Sequence, residues 1–176
     1  WVKRLGVWLT LLDVQELVRI NDKQRFQLQE NADGKLMIRA CQGHTMRHIC
    51  LEGLCGSPIT ELRPGGVCCH GTYLKHTHSI MSQGLKVQNR QTIHFSVASP
   101  GEKVLSGMRK DFEVVVYVNI DQAIEDGILF YRSASDVIIS EGIDGTIPPK
   151  YIKDVYPLRQ FKRTWSDGQR FAHGQG

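Results

Sequence analysis

Four short segments of the sequence place arginine, histidine or hydroxyl side chains beside small residues, where predicted strands end. In the segment IRACQGHT, Arg39 ends a strand, and Gln42, Gly43 and His44 follow in a turn. A guanidinium group can bind two phosphate oxygens at once, and a glycine lets the backbone approach an anion closely. A surface arginine followed by an ordinary turn accounts for the same residues. The local sequence alone favours this simpler interpretation.

The second segment comprises His70, Gly71 and Thr72, between an apolar strand and a predicted helix. At such a junction a side chain can project into a cleft while backbone amides remain available to a ligand. A strand-to-helix turn without a ligand would have the same composition. The segment is therefore a candidate ligand site whose chemistry the local sequence leaves open.

The third and fourth segments, SGMR and YRSAS, add two further arginines. Arg109 ends SGMR in a loop that leads into the strand EVVVYV, where it could supply a second guanidinium to the same phosphate or pair with Asp111. In YRSAS, Arg132 and Ser133 place a cation and a hydroxyl beside an aromatic residue, before the strand VIIS. Each segment on its own is a weak signal.

Several familiar kinds of site are missing from the sequence. It contains no phosphate loop of the form GxxxxGK[ST], no GxGxxG fingerprint of a Rossmann fold, no nucleophile elbow GxSxG and no CxxC pair. His76 and His78 are two positions apart and would point to different sides of a helix, which argues against a zinc site. We therefore expect no metal.

The composition is that of an ordinary globular protein, with 41% hydrophobic and 23% charged residues in a chain of 176. This length allows one large core or two lobes that share a cleft. The formal net charge of +4 permits a polyanionic partner without requiring one. The five cysteines, two of them adjacent, do not suit a disulfide framework and favour the reducing cytoplasm or nucleus. No segment is apolar over the length of a membrane span, so no membrane partner is expected.

The first predicted elements are a helix and a hairpin. Residues 13–23 form an amphipathic helix with Asp13 as its N-cap, and RFQLQE and KLMIRA form a hairpin around the turn NADG. A helix followed by a hairpin is the layout of a winged-helix module, although many other α+β proteins share it. The Gly- and Pro-rich residues 51–66 are predicted to be a loop, with a boundary between lobes near residues 64–66.

The remaining elements predict a mixed lobe, so the fold class is α+β. The segments VCCHGT, IHFSV, EVVVYVNI, FYRSAS and VIIS are rich in strand-forming residues, and YLKHTHSIMSQ is predicted to be a helix closed by Gly84. Residues 159–176 lose the hydrophobic pattern and are predicted to be a mobile basic tail.

The order of the short segments between residues 21 and 155 closely resembles the tRNA 2′-phosphotransferase family. These segments are KQRF, IRACQGHT, HGTY, GLK, IHFS, SGMR, FYRSAS, VIIS and PPKYI. Each is short, but their joint order and spacing are specific. The resemblance implies a partial winged-helix RNA lobe in residues 1–63 and an ADP-ribosyltransferase-like NAD lobe in residues 64–158.

The resemblance also implies an enzyme that transfers the splice-junction 2′-phosphate of tRNA, or of another 2′-phosphorylated RNA, to NAD. The products would be ADP-ribose 1″,2″-cyclic phosphate, nicotinamide and repaired RNA, as in the last step of tRNA splicing. By their positions in the motifs, Arg39 and Arg109 resemble two catalytic arginines of the family. The implied NAD-binding residues are His70, Gly71, Thr72, Arg132 and Ser133, and the implied RNA contacts are Gln42, Gly43 and His44.

One departure concerns an Arg-His pair that the family carries in a segment resembling LSxxLRH, before KQRF. This chain has no such segment, and WVKRLGVWLTLL resembles the sequence downstream of it, so Arg4 is not a substitute. We expect the chain to lack the extreme N-terminal portion of such an enzyme, and we expect a monomer. Two alternatives stay open, a catalytically impaired homologue that binds NAD or RNA, and an ADP-ribosyltransferase acting on another phosphate acceptor.

Overall fold

The computed structural model divides the chain into two compact units, Trp1–Gln42 and Gly43–Gly176. It describes residues 9–21, 24–41, 50–62, 66–98 and 111–158. Within these ranges no helix combines the length and the apolar character needed to cross a bilayer. None of the five cysteines, all of which lie in the described ranges, forms a disulfide.

The first unit begins with helix α1 (Leu11–Arg19), whose N-terminus differs from the prediction. Thr10, not Asp13, is the N-cap: its hydroxyl accepts from the Asp13 N–H at 3.2 Å, and the Asp13 carboxylate accepts from the Thr10 N–H at 2.8 Å. This reciprocal pair is a capping box, which uses both side chains where a single N-cap would use one. The helix also ends at Arg19 rather than at residue 23.

The predicted hairpin is confirmed as strands β1 (Phe26–Glu30) and β2 (Leu36–Ala40), which pair antiparallel. The Asn31 side-chain oxygen accepts from the N–H groups of Asp33 and Lys35 at 3.1 and 2.8 Å. Gly34 has a φ of +74°, a conformation that glycine adopts without strain. The turn NADG therefore fixes the register of the two strands from local chemistry alone.

The second unit contains three helices and eight strands among its described residues. The helices are α2 (Leu51–Cys55), α3 (Thr77–Gln83) and α4 (Ile120–Glu125), and short 3₁₀ turns span Leu74–His76 and Pro149–Tyr151. The strands are β3 (Val67–Thr72), β4 (Leu85–Lys86), β5 (Ile93–Ala98), β6 (Val114–Val118), β7 (Tyr131–Arg132), β8 (Ile138–Ser140), β9 (Thr146–Ile147) and β10 (Ile152–Pro157). Six of these strands form one antiparallel sheet in the order β10, β6, β3, β5, β8, β7, and β4 pairs with β9.

Two helices of the second unit differ from the prediction. The sequence predicts a loop over residues 51–66, but α2 lies within them and packs its buried Leu51 against Tyr131, Val137 and Ile139. The chain divides into its two compact units between Gln42 and Gly43. The predicted strand EVVVYVNI ends at Val118, because Asn119 accepts from the Gln122 N–H and caps α4.

Strand β6 is buried on both faces, which accounts for its continuous apolar sequence. On one face, Val116 and Val118 join the main core, which contains the large side chains Phe95 and Phe130. The opposite face contributes to a smaller cluster, here called the Tyr117 cluster, of Cys69, Phe112, Val115 and Tyr117. A third cluster lies under α2 and is called the Ile139 cluster, with Leu51, Tyr131, Val137 and Ile139.

The segment PPKYI joins α4 to the last strand through one carboxylate. The Lys150 ammonium and the Tyr151 hydroxyl both donate to Asp126 Oδ2, at 2.8 and 2.7 Å. These two hydrogen bonds lower the pKa of Asp126 below its ordinary value. The Tyr151 ring is fully buried in the main core, so this motif has a clear structural role.

We predict that Gly84→Ala destabilises the protein far more than Gly127→Ala. Both glycines have positive φ, at +85° and +90°, so both alanines would meet a backbone penalty of roughly 1–3 kcal/mol. A Cβ at Gly84, which closes α3 as predicted, would lie 2.2 Å from the Ile147 carbonyl oxygen, whereas a Cβ at Gly127 has no neighbour within 4 Å. We expect the free energy of unfolding in urea to fall by at least about 3 kcal/mol for Gly84→Ala. Equal losses in the two variants would contradict this prediction.

Candidate functional site

The candidate site in the second unit lies where strands β3 and β5 stop pairing. The β3–β5 ladder ends at the pair Cys69 and Ser96, whereas β3 continues to pair with β6 as far as Thr72. Gly71 would face His94 if the β3–β5 register continued. The two strands therefore separate beside Gly71, and the β5 side of its backbone has no ladder partner in that strand.

The side chain of His70 crosses the gap between β3 and β5. Its Nδ1 atom lies 2.8 Å from the His94 carbonyl oxygen, and its ring packs edge-on to Phe95 with centroids 6.1 Å apart. A carbonyl oxygen can only accept a hydrogen bond, so Nδ1 carries a proton. The contact thus fixes both the orientation of the His70 ring and, in the neutral form, its tautomer.

His94 has a buried ring nitrogen, Nε2, with no hydrogen-bond partner among the residues that the structure describes. Burial, together with the positive charge of Arg90, lowers the pKa of His94 to about 4. The imidazole is therefore neutral at pH 7. A buried nitrogen without a partner is costly, and a ligand that supplies one hydrogen bond would remove this cost.

His94 and Gly71 lie on the same face of the sheet, between two apolar clusters. Side chains alternate along a strand, so His94 shares a face with its cross-strand partner Ile139 and with Ser96, which pairs with Cys69. On that face the Tyr117 cluster lies on one side and the Ile139 cluster on the other. Because Gly71 has no side chain, its backbone is not covered on this face. The position therefore combines backbone hydrogen-bonding groups with the neutral imidazole of His94 in apolar surroundings, which is typical of small-molecule sites.

Arg132 and Ser133 lie at the far edge of the same sheet, Arg132 at the end of β7 and Ser133 in the tight turn that leads to β8. The Arg132 guanidinium donates to the Asp136 carboxylate. The Ser133 Oγ accepts from the Val137 N–H at 3.2 Å and lies 3.1 Å from the Ser135 Oγ. Both side chains therefore stabilise the turn, whose Asp136 has a φ of +58°.

The structure brings some of the predicted residues together and separates others. His70, Gly71 and Thr72 are consecutive on β3, beside His94 on β5. Arg132 lies on β7, three strand spacings from β3, or about 14 Å across the sheet. An extended ligand would be needed to contact both groups.

Arg39 belongs to the first unit and is held by its neighbour across the hairpin. It lies on β2 directly opposite Gln27 on β1. Its Nε and Nη2 atoms donate to Gln27 Oε1 at 3.1 and 2.7 Å. The guanidinium is half-buried and oriented before any ligand binds.

Four predicted residues, Gln42, Gly43, His44 and Arg109, lie outside the described residues. Asp111, the alternative partner considered for Arg109, accepts a hydrogen bond from the Tyr73 hydroxyl at 2.6 Å. Within the described ranges, no group of three or more His, Cys, Asp and Glu side chains is placed to hold a metal ion.

His94 is a candidate site residue that the sequence motifs did not single out, although it belongs to the segment IHFS. A signal was available in the alternation of that strand. Ile93 and Phe95 are apolar and pack into the main core, so His94 between them must lie on the opposite face. The burial of that face and the separation of β5 from β3 depend on residues that are distant in the sequence. The segment IHFS alone therefore does not reveal them.

Comparison with known proteins identifies a family. A family model described as "RNA 2'-phosphotransferase, Tpt1 / KptA family" matches residues 2–142. The chain is 40% identical over 157 residues to tRNA 2'-phosphotransferase 1 of Homo sapiens, across 88% of the chain and 61% of that protein. It is 39% identical over 150 residues to tRNA 2'-phosphotransferase 1 of Danio rerio, across 84% of the chain and 66% of that protein.

A bacterial protein is also similar. The protein named "Probable RNA 2'-phosphotransferase" of Acaryochloris marina is 37% identical over 142 residues, across 81% of the chain and 70% of its own length. The chain spans about three fifths of the length of the human relative.

We predict that His94 makes the protein less stable in mild acid. Its pKa is about 4 in the folded protein, against an ordinary value of 6.5, so below pH 6.5 the unfolded chain binds a proton that the folded protein excludes. Stability is therefore lost as the pH falls from about 6.5 towards 4. Between pH 7 and pH 5 the loss from this group should be about 2 kcal/mol.

Urea denaturation at several pH values would measure this loss. His94→Gln, which cannot bind the proton, should flatten the pH dependence, while His78→Gln, a change at an exposed residue of α3, should not. If parent and His94→Gln lost stability in parallel between pH 7 and pH 5, His94 would not be buried in the neutral form.

Proposed function

The chain belongs to the RNA 2′-phosphotransferase, Tpt1 / KptA family, and we propose on this basis that it transfers an internal 2′-phosphate from RNA to NAD. The RNA class proposed is tRNA carrying a splice-junction 2′-phosphate, in line with the names of the human and zebrafish relatives. Because the chain spans only part of the length of these relatives, the activity is proposed for the full-length protein.

The proposed reaction has two transfers. A 2′-phosphate oxygen of the RNA attacks the anomeric carbon of the nicotinamide ribose, and the bond to nicotinamide breaks, with its electron pair leaving on the nicotinamide nitrogen. The ribose 2″-hydroxyl then attacks the phosphorus, and the bond to the RNA 2′-oxygen breaks. That oxygen gains the proton that the hydroxyl loses, which leaves an RNA 2′-hydroxyl and ADP-ribose 1″,2″-cyclic phosphate.

The observation that supports NAD as the co-substrate is the junction of β3 and β5. A nicotinamide ring is flat and mainly apolar, and its carboxamide can both donate and accept hydrogen bonds. The position beside Gly71 provides backbone groups without a partner in β5, the unsatisfied Nε2 of His94, and apolar clusters on either side. We propose that the nicotinamide end of NAD lies in the gap between β3 and β5, in contact with Gly71 and His94 from one face of the sheet and with His70 and Thr72 from the other.

The remaining parts of the proposed NAD site lie at the other edge of the sheet. Arg132 and Ser133 are proposed to contact a distant part of the dinucleotide, since the sheet places them about 14 Å from β3. Asp136 already accepts from Arg132, so a phosphate there would share or replace this carboxylate. Arg132 is accordingly the weaker half of the proposed NAD site.

The proposed RNA contacts rest on the family motifs. Arg39 and Arg109 are proposed to bind the 2′-phosphate and to stabilise the charge on its oxygens during transfer, which guanidinium groups do well. Gln42, Gly43 and His44 are proposed to contact the RNA. We further propose NAD as the only cofactor, with the arginines in place of a metal ion.

Three broader features are also proposed. Helix α1 followed by the β1–β2 hairpin supports a winged-helix assignment for the first unit, and the antiparallel sheet with separating central strands supports an ADP-ribosyltransferase-like second unit. Cysteines without disulfides are compatible with a reducing compartment, and we propose the cytoplasm or the nucleus. A monomer is proposed as the working state.

We predict that Arg39→Ala in the full-length protein lowers turnover of 2′-phosphorylated RNA by roughly 100-fold or more at saturating NAD. The change removes a guanidinium from a half-buried hairpin position, so it creates no cavity in the core. Arg19→Ala is the matched control, since Arg19 is an exposed arginine paired with Glu16. The measurement is release of ADP-ribose 1″,2″-cyclic phosphate. Near-parental turnover by Arg39→Ala would refute its catalytic role, and no cyclic phosphate from the parent would refute the proposed reaction.

We predict that His70→Ala weakens NAD binding by about tenfold or more, because it removes a ring that is oriented by the His94 carbonyl at the proposed nicotinamide position. Calorimetric titration of the folded protein with NAD would measure the affinity. His78→Ala, at an exposed histidine of α3, should bind NAD as the parent does. Equal affinity of His70→Ala and parent would place NAD elsewhere.

A further inference from the structure

Arg39 differs from Arg19 and Arg132 in the charge of its partner. Arg19 and Arg132 donate to the carboxylates of Glu16 and Asp136. Arg39 donates instead to the side-chain oxygen of Gln27, a neutral amide, at 3.1 Å from Nε and 2.7 Å from Nη2. Its guanidinium is therefore held in place, and among the described residues no carboxylate pairs with its positive charge.

The contact with Gln27 uses one edge of the guanidinium and leaves the other edge for a second acceptor. Gln27 Oε1 accepts the Nε–H and one hydrogen of Nη2. The N–H groups not used by Gln27 are two on Nη1 and one on Nη2, and they form the edge that can bind two phosphate oxygens in parallel. The geometry thus presents a charged, bidentate donor with a fixed orientation.

The hairpin register brings the two residues together. Gln27 and Arg39 are direct cross-strand partners in the β1–β2 ladder, so their side chains project from the same face as neighbours. Both are half-buried. An arginine that is ordered before its ligand binds has less freedom to lose when the reaction occurs.

We propose that Gln27 is a positioning residue for the phosphate transfer, and that it acts by orienting the Arg39 guanidinium while leaving its charge available to the RNA 2′-phosphate. This inference rests on the proposed function, which gives Arg39 its phosphate. Gln27 itself does not touch the reacting atoms. Both parts of its role, the hydrogen bonds and the neutrality, are needed.

The lack of charge on Gln27 distinguishes the proposed positioning role from simple stabilisation of the hairpin. If the pair served only to stabilise the hairpin, Gln27→Glu would be harmless or beneficial, because oppositely charged cross-strand partners stabilise a hairpin. If Gln27 preserves the charge of Arg39 for a phosphate, the same substitution must impair the reaction, because a carboxylate would compete with that phosphate. The two interpretations therefore predict opposite effects on activity.

The experiment compares Gln27→Glu and Gln27→Leu in the full-length protein with Gln29→Glu and Gln29→Leu. Gln29 is two residues along β1, on the same face and exposed, so its variants control for a new charge or a lost amide near the RNA. The readouts are kcat and KM for 2′-phosphorylated RNA at saturating NAD, the melting temperature, and affinity for a short RNA with an internal 2′-phosphate or with a 2′-hydroxyl at that position.

We expect kcat/KM to fall by about tenfold or more in both Gln27 variants, with the larger loss in Gln27→Glu. Gln27→Glu should melt no lower than the parent and should lose the preference for the 2′-phosphorylated RNA. Both Gln29 variants should behave as the parent does. Parental kcat/KM for Gln27→Glu, or equal losses in Gln27→Glu and Gln29→Glu, would overturn the inference.

The same data distinguish this inference from the proposed function. A parent that produces no cyclic phosphate refutes the proposed reaction. In that case the binding preference decides the role of Gln27: its loss in Gln27→Glu but not in Gln29→Glu supports the inference, and an unchanged preference overturns it. A parent that is active, with Gln27 variants that are equally active, refutes the inference while the proposed function stands.

Discussion

The β3–β5 ladder ends at Cys69 and Ser96, and the candidate site of the second unit depends on this point. Strand β5 pairs with β8 through its first half and with β3 through its second half, so it joins the two parts of the sheet at one place only. Beyond that place β3 pairs with β6 alone, so the β5 side of the Gly71 backbone is an unpaired edge in the interior of the sheet. If the ladder continued for two more residues, the β5 side of Gly71 would be paired with His94.

The parts of the fold that follow from local chemistry are also those that the sequence predicts. The turn NADG sets the β1–β2 hairpin through the Asn31 side chain and Gly34, and the β-branched run of β6 matches its burial on both faces. Helix α2 could not be predicted in this way. It has only five residues, and Leu51 is ordered by a cluster formed more than seventy residues later in the chain.

The same contrast applies to the candidate residues. Motif order makes His70 and Gly71 candidates from a short contiguous segment, HGTY, because they are consecutive on β3. His94 becomes a candidate because its ring nitrogen Nε2 is buried and because β3 separates from β5 beside it. Gln27 becomes one only because the hairpin register places it opposite Arg39. An interaction between two strands depends on residues of both strands, so the sequence pattern of either segment alone does not reveal it.

The strand order of the large sheet also bears on how the chain folds during synthesis. Strand β6 pairs with β3, which precedes it by tens of residues, and with β10, which follows it by a similar distance. Until β10 emerges from the ribosome, the apolar strand β6 has an unpaired edge, the kind of edge on which chains associate wrongly. Such distant pairings also slow folding, because loops must close before the contacts form. Strand β10 therefore covers the edge of β6 late in synthesis, and the growing chain is most vulnerable to aggregation just before β10 is made.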